Sequence, residues 1–352
     1  MNAPLFLWEQ YLRLFTGFRH SGPVQPHFDG RKFANLDPIK PWSLAVYKWL
    51  LTRKGQPWPQ WIEASPGPTP PSRISSDDLR VTFINHATVL IQTAGLNIIT
   101  DPVLSPRVGP FFWLGSKRVR RPGLDFDQIP KIDLILISHD HYDHMDRPTI
   151  HKLVNRDQPQ IISGLGVDKT LKHNGIKNAQ TLDWWQSLDF NSEVKITFTP
   201  SQHFSGRGLL DQDSTLWGSF VISCPYGNIY FAGDSGYNKH YQMVQKRFHK
   251  IDFAILPIGA YEPRWFMKSY HMSPQDAVKA HVDLNSQFSM GIHFGTFRLS
   301  DEGYDDPKTE LQESLAAPEI ANKNFITLEF GDSIQLNSEN SEFANSASRT
   351  SV

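Results

Sequence analysis

A chain of 352 residues with 39% hydrophobic content can build one large domain or two modest ones, and its formal charge of −1 supplies no global field toward nucleic acid or an anionic membrane. A single cysteine, Cys224, excludes an intramolecular disulfide and cysteine-rich zinc ribbons, so metal ligands would have to be histidines and carboxylates, and a reducing compartment is expected. The leading stretch lacks a basic n-region and a small-residue cleavage pattern, and no run of about 18 uncharged apolar residues occurs, so neither a signal peptide nor a membrane-spanning helix is expected.

Residues 1–78 are rich in Trp, Phe and Pro and read as an extension that packs on the following domain or on a membrane. A first helical patch sets Leu5, Trp8, Leu12 and Phe15 on one face; a second, "SLAVYKWLLTRKG", starts at a Ser43 cap and stops at Lys54 and Gly55. The proline-laden "QPWPQWIEASPGPTPPSR" allows only an extended connector. From residue 79 strands dominate: "VTFIN", "TVLIQ" and "NIITD" predict a meander turning at "TAG". After "LILIS" come helical segments that start near Asp146, with Pro148 in the first turn, and end before Gly175. "VKITFTP", "LWGSFVIS", "NIYFAGD" and "FAILPIG" predict further strands, then a helix capped by Ser273 with Asp276 three residues on, then "SMGIHFG", "FITLEF" and "DSIQL". Strand and helix blocks therefore repeat twice within a catalytic domain of residues 79–337, and the small polar tail 338–352 is expected to be disordered.

The chemistry concentrates in "LISHDHYDHMD". His139, His141, Asp143 and His144 sit in a loop at the carboxyl end of a buried strand, where open α/β sheets place their sites. Imidazole nitrogen and carboxylate oxygen are the ligand types zinc accepts when cysteine is absent. Histidines capping a helix or lying on a wet surface are the plainer reading of the same residues. His203, Asp234 and His293 follow later strands, and each alone could equally be a satisfied core or turn residue.

These residues, together with "HATVLIQ", "TDPV", "SKRVRRP", "LDWW", "FTPSQHF", "LWGSF", "FAGDSGY", "GAYEPRWFMK" and "IHFGTF", resemble the metallo-β-lactamase superfamily, and within it the N-acylphosphatidylethanolamine-hydrolysing phospholipases D. The resemblance spans residues 79–336. It implies an α/β fold, the αβ/βα four-layer sandwich, and two zinc ions per chain: one on His139, His141 and His203, the other on Asp143, His144 and His293, with Asp234 bridging. It also implies attack of metal-bound hydroxide on the phosphorus of an N-acylated phospholipid, releasing phosphatidic acid and an N-acylethanolamine. Two dications against two ligand carboxylates leave a local positive excess suited to an anionic diester. Asp143, His271 and Tyr142 are the expected catalytic residues, with His271 the candidate acid or phosphate contact and Tyr142 the second choice. Tyr142, His271, Arg264 and Trp265 are the candidate substrate contacts, although an Arg amid apolar groups more often pairs with a carboxylate, and Trp184, Trp185 and Trp265 could each be core. His86 and Asp101 could orient ligands or stabilise turns. Lys117, Arg118, Arg120 and Arg121 could meet lipid phosphate or form a solvated loop. The expected setting is cytoplasmic with peripheral membrane contact, without nucleic acid, and with a homodimer left open. The competing readings are a lactonase or soluble phosphodiesterase on the same scaffold, and a non-enzymatic membrane-associated protein that keeps metal for stability.

Overall fold

Alternation along the strands decides which side of the first sheet each residue covers. The computed structural model describes residues 18–39, 44–111, 113–208, 210–318, 320 and 324–337. Strands β1 (Asp78–Asn85), β2 (Thr88–Thr93) and β3 (Leu96–Thr100) form the antiparallel meander, turning at Ala94 and Gly95, both in the left-handed region. A two-stranded hairpin follows, β4 (Arg107–Phe111) with β5 (Leu114–Lys117), and then β6 (Leu134–Ile137) joins β3 in parallel. Val89 and Ile91, Ile98, and Leu134 and Leu136 face one core, while Leu90, Ile99, Ile135 and Ile137 face another. A strand apolar on both faces must be covered on both, which is why "LILI" is continuous.

The outer cover of this sheet comes from helices later in the chain. Helix α1 (Leu44–Thr52) precedes the sheet, whereas α2 (Arg147–Asp157) and α3 (Val167–His173) bury Ile150, Leu153, Val167 and Leu171 against its outer face. Strand β7 (Gln160–Gly164) runs between those two helices and β8 (Ala179–Leu182) follows, both parallel additions to the sheet. The second sheet holds β9 (Ser187–Asp189), β10 (Lys195–Thr199), β11 (Ser219–Cys224), β12 (Gly227–Phe231), β13 (Ile251–Pro257), β14 (Ser286–Ile292) and β15 (Phe325–Ile326) in reverse order across the sheet. Between β12 and β13 lies α4 (His240–Phe248); α5 (Arg264–Met267) and α6 (Pro274–Asp283) lie between β13 and β14; α7 (Asp306–Leu315) packs on α6. Ser273 Oγ accepts from the Asp276 amide at 3.2 Å, the predicted cap of α6. Finally β16 (Ser333–Asn337) returns to pair with β1, so two seven-stranded sheets face each other with helices outside. This is the αβ/βα sandwich.

The described part of the N-terminal extension is built into the fold: Phe28 and Phe33 are buried in the main core. The face formed by Leu5, Trp8, Leu12 and Phe15, the Ser43 cap and the tail 338–352 lie outside the described residues.

Candidate metal centre

Every sequence-derived ligand emerges from the same edge of the sandwich. His139 to His144 follow β6, His203 follows β10, Asp234 follows β12 and His293 follows β14. The two sheets' loops meet because Gly233 has no side chain: its φ is +59°, and a Cβ there would lie 2.4 Å from the Ser138 Cβ.

The histidines are oriented by partners on their far sides. Ser138 donates from Oγ to Asp101 Oδ2 at 2.6 Å, so its lone pair is left to accept from His139 Nδ1 at 2.9 Å. His144 Nδ1 donates to the same Asp101 Oδ2 at 2.7 Å, and His203 Nδ1 donates to the Tyr270 carbonyl at 2.9 Å. Protons thus sit on the outer Nδ1 of all three rings, turning each Nε2 inward and leaving those of His139 and His203 bare. His139 Nε2 lies 2.8 Å from His141 Nδ1, which lies 3.3 Å from His203 Nε2. A single proton on His141 Nδ1 could serve one of these contacts well, whereas a cation among the three nitrogens would satisfy all of them.

A second cluster gathers Asp143, His144 and His293 with His86. Asp234 Oδ2 stands between the two clusters, 3.2 Å from both His144 Nε2 and His293 Nε2 and 3.8 Å from His203 Nε2. Although these distances are short, His144 Nε2, His293 Nε2 and Asp234 Oδ1 are buried without a hydrogen-bond partner among the described residues. Such atoms are expensive to bury unsatisfied, and their donor set of imidazole nitrogen and carboxylate oxygen fits a divalent metal ion. Charge makes the same demand. Burial works to lower His293, yet Asp234 and Asp143 outweigh it and bring it up to about 9, and His144 is likewise raised by the two carboxylates against its burial. The pocket between Asp143 and Asp234 calls for positive charge. By contrast burial drives His141 down to about 3 and His203 to about 4, in the neutral form a metal ligand requires.

His86 and Asp101, singled out between strands, both belong to this arrangement. His86 Nε2 lies 3.0 Å from Asp143 Oδ2, and Asp101 anchors Ser138 and His144. His86, Asp101 and His293 all have positive φ, backbone that non-glycine residues rarely adopt and that surrounding contacts must hold in place. The His293 amide donates to the His86 carbonyl at 2.8 Å, tying two of these positions together.

His271, between α5 and α6, brings its Nδ1 to 3.7 Å from Asp234 Oδ2, with 12% of its side chain exposed. It is at the rim of the cluster. Arg264 does not reach into the cluster: its guanidinium pairs with Asp276 at 2.5 Å and donates to the His271 carbonyl at 3.1 Å, so it shapes the segment that carries His271. Tyr142 donates its hydroxyl to the Arg207 carbonyl at 2.7 Å, and the Arg207 guanidinium stacks 3.9 Å from its ring. Trp184 is core; Trp185 is partly buried against the core; Trp265 is exposed. Of the basic run, Arg118 and Arg120 are buried over the Phe297 and Phe330 rings and Arg121 pairs with Asp125, so the run is neither a solvated loop nor a phosphate patch as a whole.

Three further residues support the site. Arg207 Nη1 donates to the carbonyls of Asp140 at 2.6 Å and Met145 at 2.9 Å, clamping both ends of the ligand loop. The Asp140 carboxylate accepts from the Gly206 amide and Thr215 Oγ1. From the N-terminal extension, Asn35 donates to the His203 carbonyl at 2.7 Å and accepts from its amide at 3.0 Å. No local pattern marks these residues, because their partners are distant in sequence.

A β-lactamase superfamily domain matches residues 96–294. The chain is 35% identical over 282 residues to N-acyl-phosphatidylethanolamine-hydrolyzing phospholipase D 1 of Caenorhabditis elegans, covering 75% of this chain and 79% of the worm protein. It is 38% identical over 225 residues to the mitochondrial N-acyl-phosphatidylethanolamine-hydrolyzing phospholipase D of Saccharomyces cerevisiae, covering 62% of this chain and 48% of the yeast protein. Among solved structures, a metallo hydrolase from Ignicoccus hospitalis superposes with a TM-score of 0.56 over 74% of this chain and 99% of its own, at 18% identity, a likeness of fold.

Proposed function

Because the chain belongs to the β-lactamase superfamily and is a metal-dependent hydrolase by that kinship, we infer that it is a dinuclear zinc phosphodiesterase of the phospholipase D type. Its proposed substrate is N-acylphosphatidylethanolamine, cleaved to phosphatidic acid and an N-acylethanolamine, the lipid the worm and yeast relatives are named for hydrolysing. One observation carries the two-ion part of the reading: Asp234 Oδ2 lies within 3.8 Å of ligand nitrogens from both clusters, as a bridging carboxylate would.

In this reading His139, His141 and His203 hold one ion and Asp143, His144 and His293 the other. Two zinc ions would neutralise the diester and lower the pKa of a shared water toward neutrality. His86 keeps Asp143 oriented, Asp101 fixes the His144 and His139 tautomers through Ser138, and Asn35 holds the His203 backbone. His271 serves the leaving group. Burial pushes its ring well below the usual histidine range, with Asp234 pulling the other way, which favours the neutral imidazole, and its place at the rim is what supports the role. Peripheral contact with the cytoplasmic side of a membrane completes the proposal, supported by the exposed Leu44, Tyr47 and Leu51 along one side of α1. Among the described residues no helix is long and apolar enough to cross a membrane.

The test is turnover by purified, metal-loaded protein of N-acylated phosphatidylethanolamine, unmodified phosphatidylethanolamine and phosphatidylcholine, with products identified by mass. Phosphatidic acid and N-acylethanolamine from the first lipid, much faster than head-group release from the others, is the expected result. Release of fatty acid, or a higher kcat/KM on lactones, would overturn it.

A further inference from the structure

The β4–β5 hairpin has an unusual division of surface along its length. At its tip Phe111 pairs with Leu114, and Phe111, Trp113 and Leu114 are 39%, 60% and 46% exposed. The Phe111 and Trp113 rings stack in parallel, 5.1 Å apart and within 1°. At its base Arg107 pairs with Lys117, placing two cations opposite each other. Four steps along β4 and three along β5 separate the two levels, about 10–13 Å at the usual rise.

An isolated two-stranded hairpin is marginal in water, so this one must be rooted. Val108 is buried with Val103 and Phe297 in a satellite core that Tyr142 and Leu299 cover. Ser116 Oγ donates to the Arg298 carbonyl at 3.3 Å, and Arg118 bridges to Phe297. Through Phe297 the root touches His86, ring centroids 5.2 Å apart, and through Tyr142 it touches the ligand loop. Between hairpin and ligand loop lies a cavity of about 200 Å³ whose walls include Arg107, Phe111, Tyr142, Arg147 and Arg207. Basic and aromatic groups, with Asp146 among them, thus line the space between the apolar tip and the loop that carries His139 to His144.

The geometry points to the β4–β5 hairpin as the element that docks this enzyme on an anionic phospholipid surface, with Phe111, Trp113 and Leu114 entering the acyl boundary and Arg107 and Lys117 meeting headgroup phosphates. This rests on the lipid-hydrolase reading above. The dimensions agree, because interfacial groups sink about 5–10 Å below the headgroups, within the ~10–13 Å between tip and base. Charge complementarity selects a lipid over a second copy of the chain: paired cations beneath an apolar tip would face each other across a self-association interface. With a net charge of −1, attraction to lipid must come from such a local patch.

The experiment uses the full-length, metal-loaded protein and vesicles of phosphatidylcholine doped with phosphatidylglycerol. Trp113→Ser combined with Leu114→Ser should weaken vesicle partitioning at least tenfold, since the transfer terms of two bulky groups together exceed the ~1.4 kcal/mol that a factor of ten represents. Thermal stability and turnover of a short-chain soluble diester should be unchanged, and Val282→Ser, an exposed apolar position on α6, should bind vesicles like wild type. Bromine-labelled acyl chains should quench a tryptophan signal that Trp113→Phe removes. Vesicle binding unaltered in the double variant overturns the assignment, as does a variant that only lowers the protein's mass in light scattering, which would mark the tip as an interface between copies. Hairpin-dependent binding without hydrolysis of N-acylated lipid would uphold the docking and sink only the substrate reading.

Discussion

His271 is the proposed donor at a rim of otherwise committed imidazoles, since His139, His144 and His203 each have an outer partner while its Nδ1 has no hydrogen-bond partner among the described residues. His271→Ala should lower kcat by roughly 10²–10⁴ with metal content unchanged, and the loss should shrink for substrates with better leaving groups. An equal loss for all leaving groups would make it a phosphate contact instead. Asp213 offers a prediction away from the chemistry. Burial raises its carboxyl to about 6, with Lys32 opposing, so the folded state disfavours its charge. Its penalty is absent below about pH 4, grows as the pH rises, and is complete above about 6. Asp213→Asn, which tolerates the residue's φ of +61°, should therefore raise stability by on the order of 1–2 kcal/mol at pH 7 and by little at pH 4, read from urea midpoints at the two values. The histidines and aspartates that the fold gathers into these clusters stood out in the sequence because their residue types are rare and sit at strand ends. Asn35 was not, for its partner His203 is 168 positions away and an asparagine in a Pro-rich stretch looks like any turn residue.

At the scale of elements, the site depends on how near two loops from different sheets can come. Gly233→Ala puts a methyl 2.4 Å from the Ser138 Cβ and forces a side chain onto a φ of +59°. The expected cost is roughly 1–3 kcal/mol, accompanied by weaker metal retention because Ser138 orients His139 and Asp234 follows the glycine; calorimetry with elemental analysis would show both. Loss of stability with full metal content would separate the glycine from the centre. The elements that escaped the sequence reading are short ones. Strand β7, "QIISG", lies between two helices and carries too few residues to show a period, so the segment from Asp146 to Gly175 reads as helical throughout. The β4–β5 hairpin is masked by its glycines, proline and aromatics, which read as loop until the register pairs Arg107 with Lys117. The long meander, the capped α6 and the strand that closes the domain at Asn337 were legible because period, cap and turn agree there.

For the molecule as a whole, metal and proton compete for one buried negative pocket. Without metal, His293 is raised to about 9 and His144 is raised as well, so both rings are protonated at neutral pH and their pairing with Asp234 and Asp143 stabilises the fold. That contribution is fully present below the unfolded histidine value near 6.5 and is lost as pH rises through about 9. Zinc uptake at pH 7 should then release about two protons per chain, seen as a dependence of the calorimetric binding enthalpy on buffer ionisation enthalpy, and affinity should climb with pH until about 9. Uptake without proton release would mean that the carboxylates do not face those rings. Chelation should lower the melting temperature, by an amount set by metal concentration over its dissociation constant.

The central claim is that water attacks phosphorus within a two-metal site, and hydrolysis in water enriched in heavy oxygen addresses it directly. The account predicts that the label appears in the phosphate group of phosphatidic acid, with unlabelled N-acylethanolamine, because the bond broken is between phosphorus and the ethanolamine oxygen. Label in the N-acylethanolamine hydroxyl, or in a released fatty acid, would contradict it.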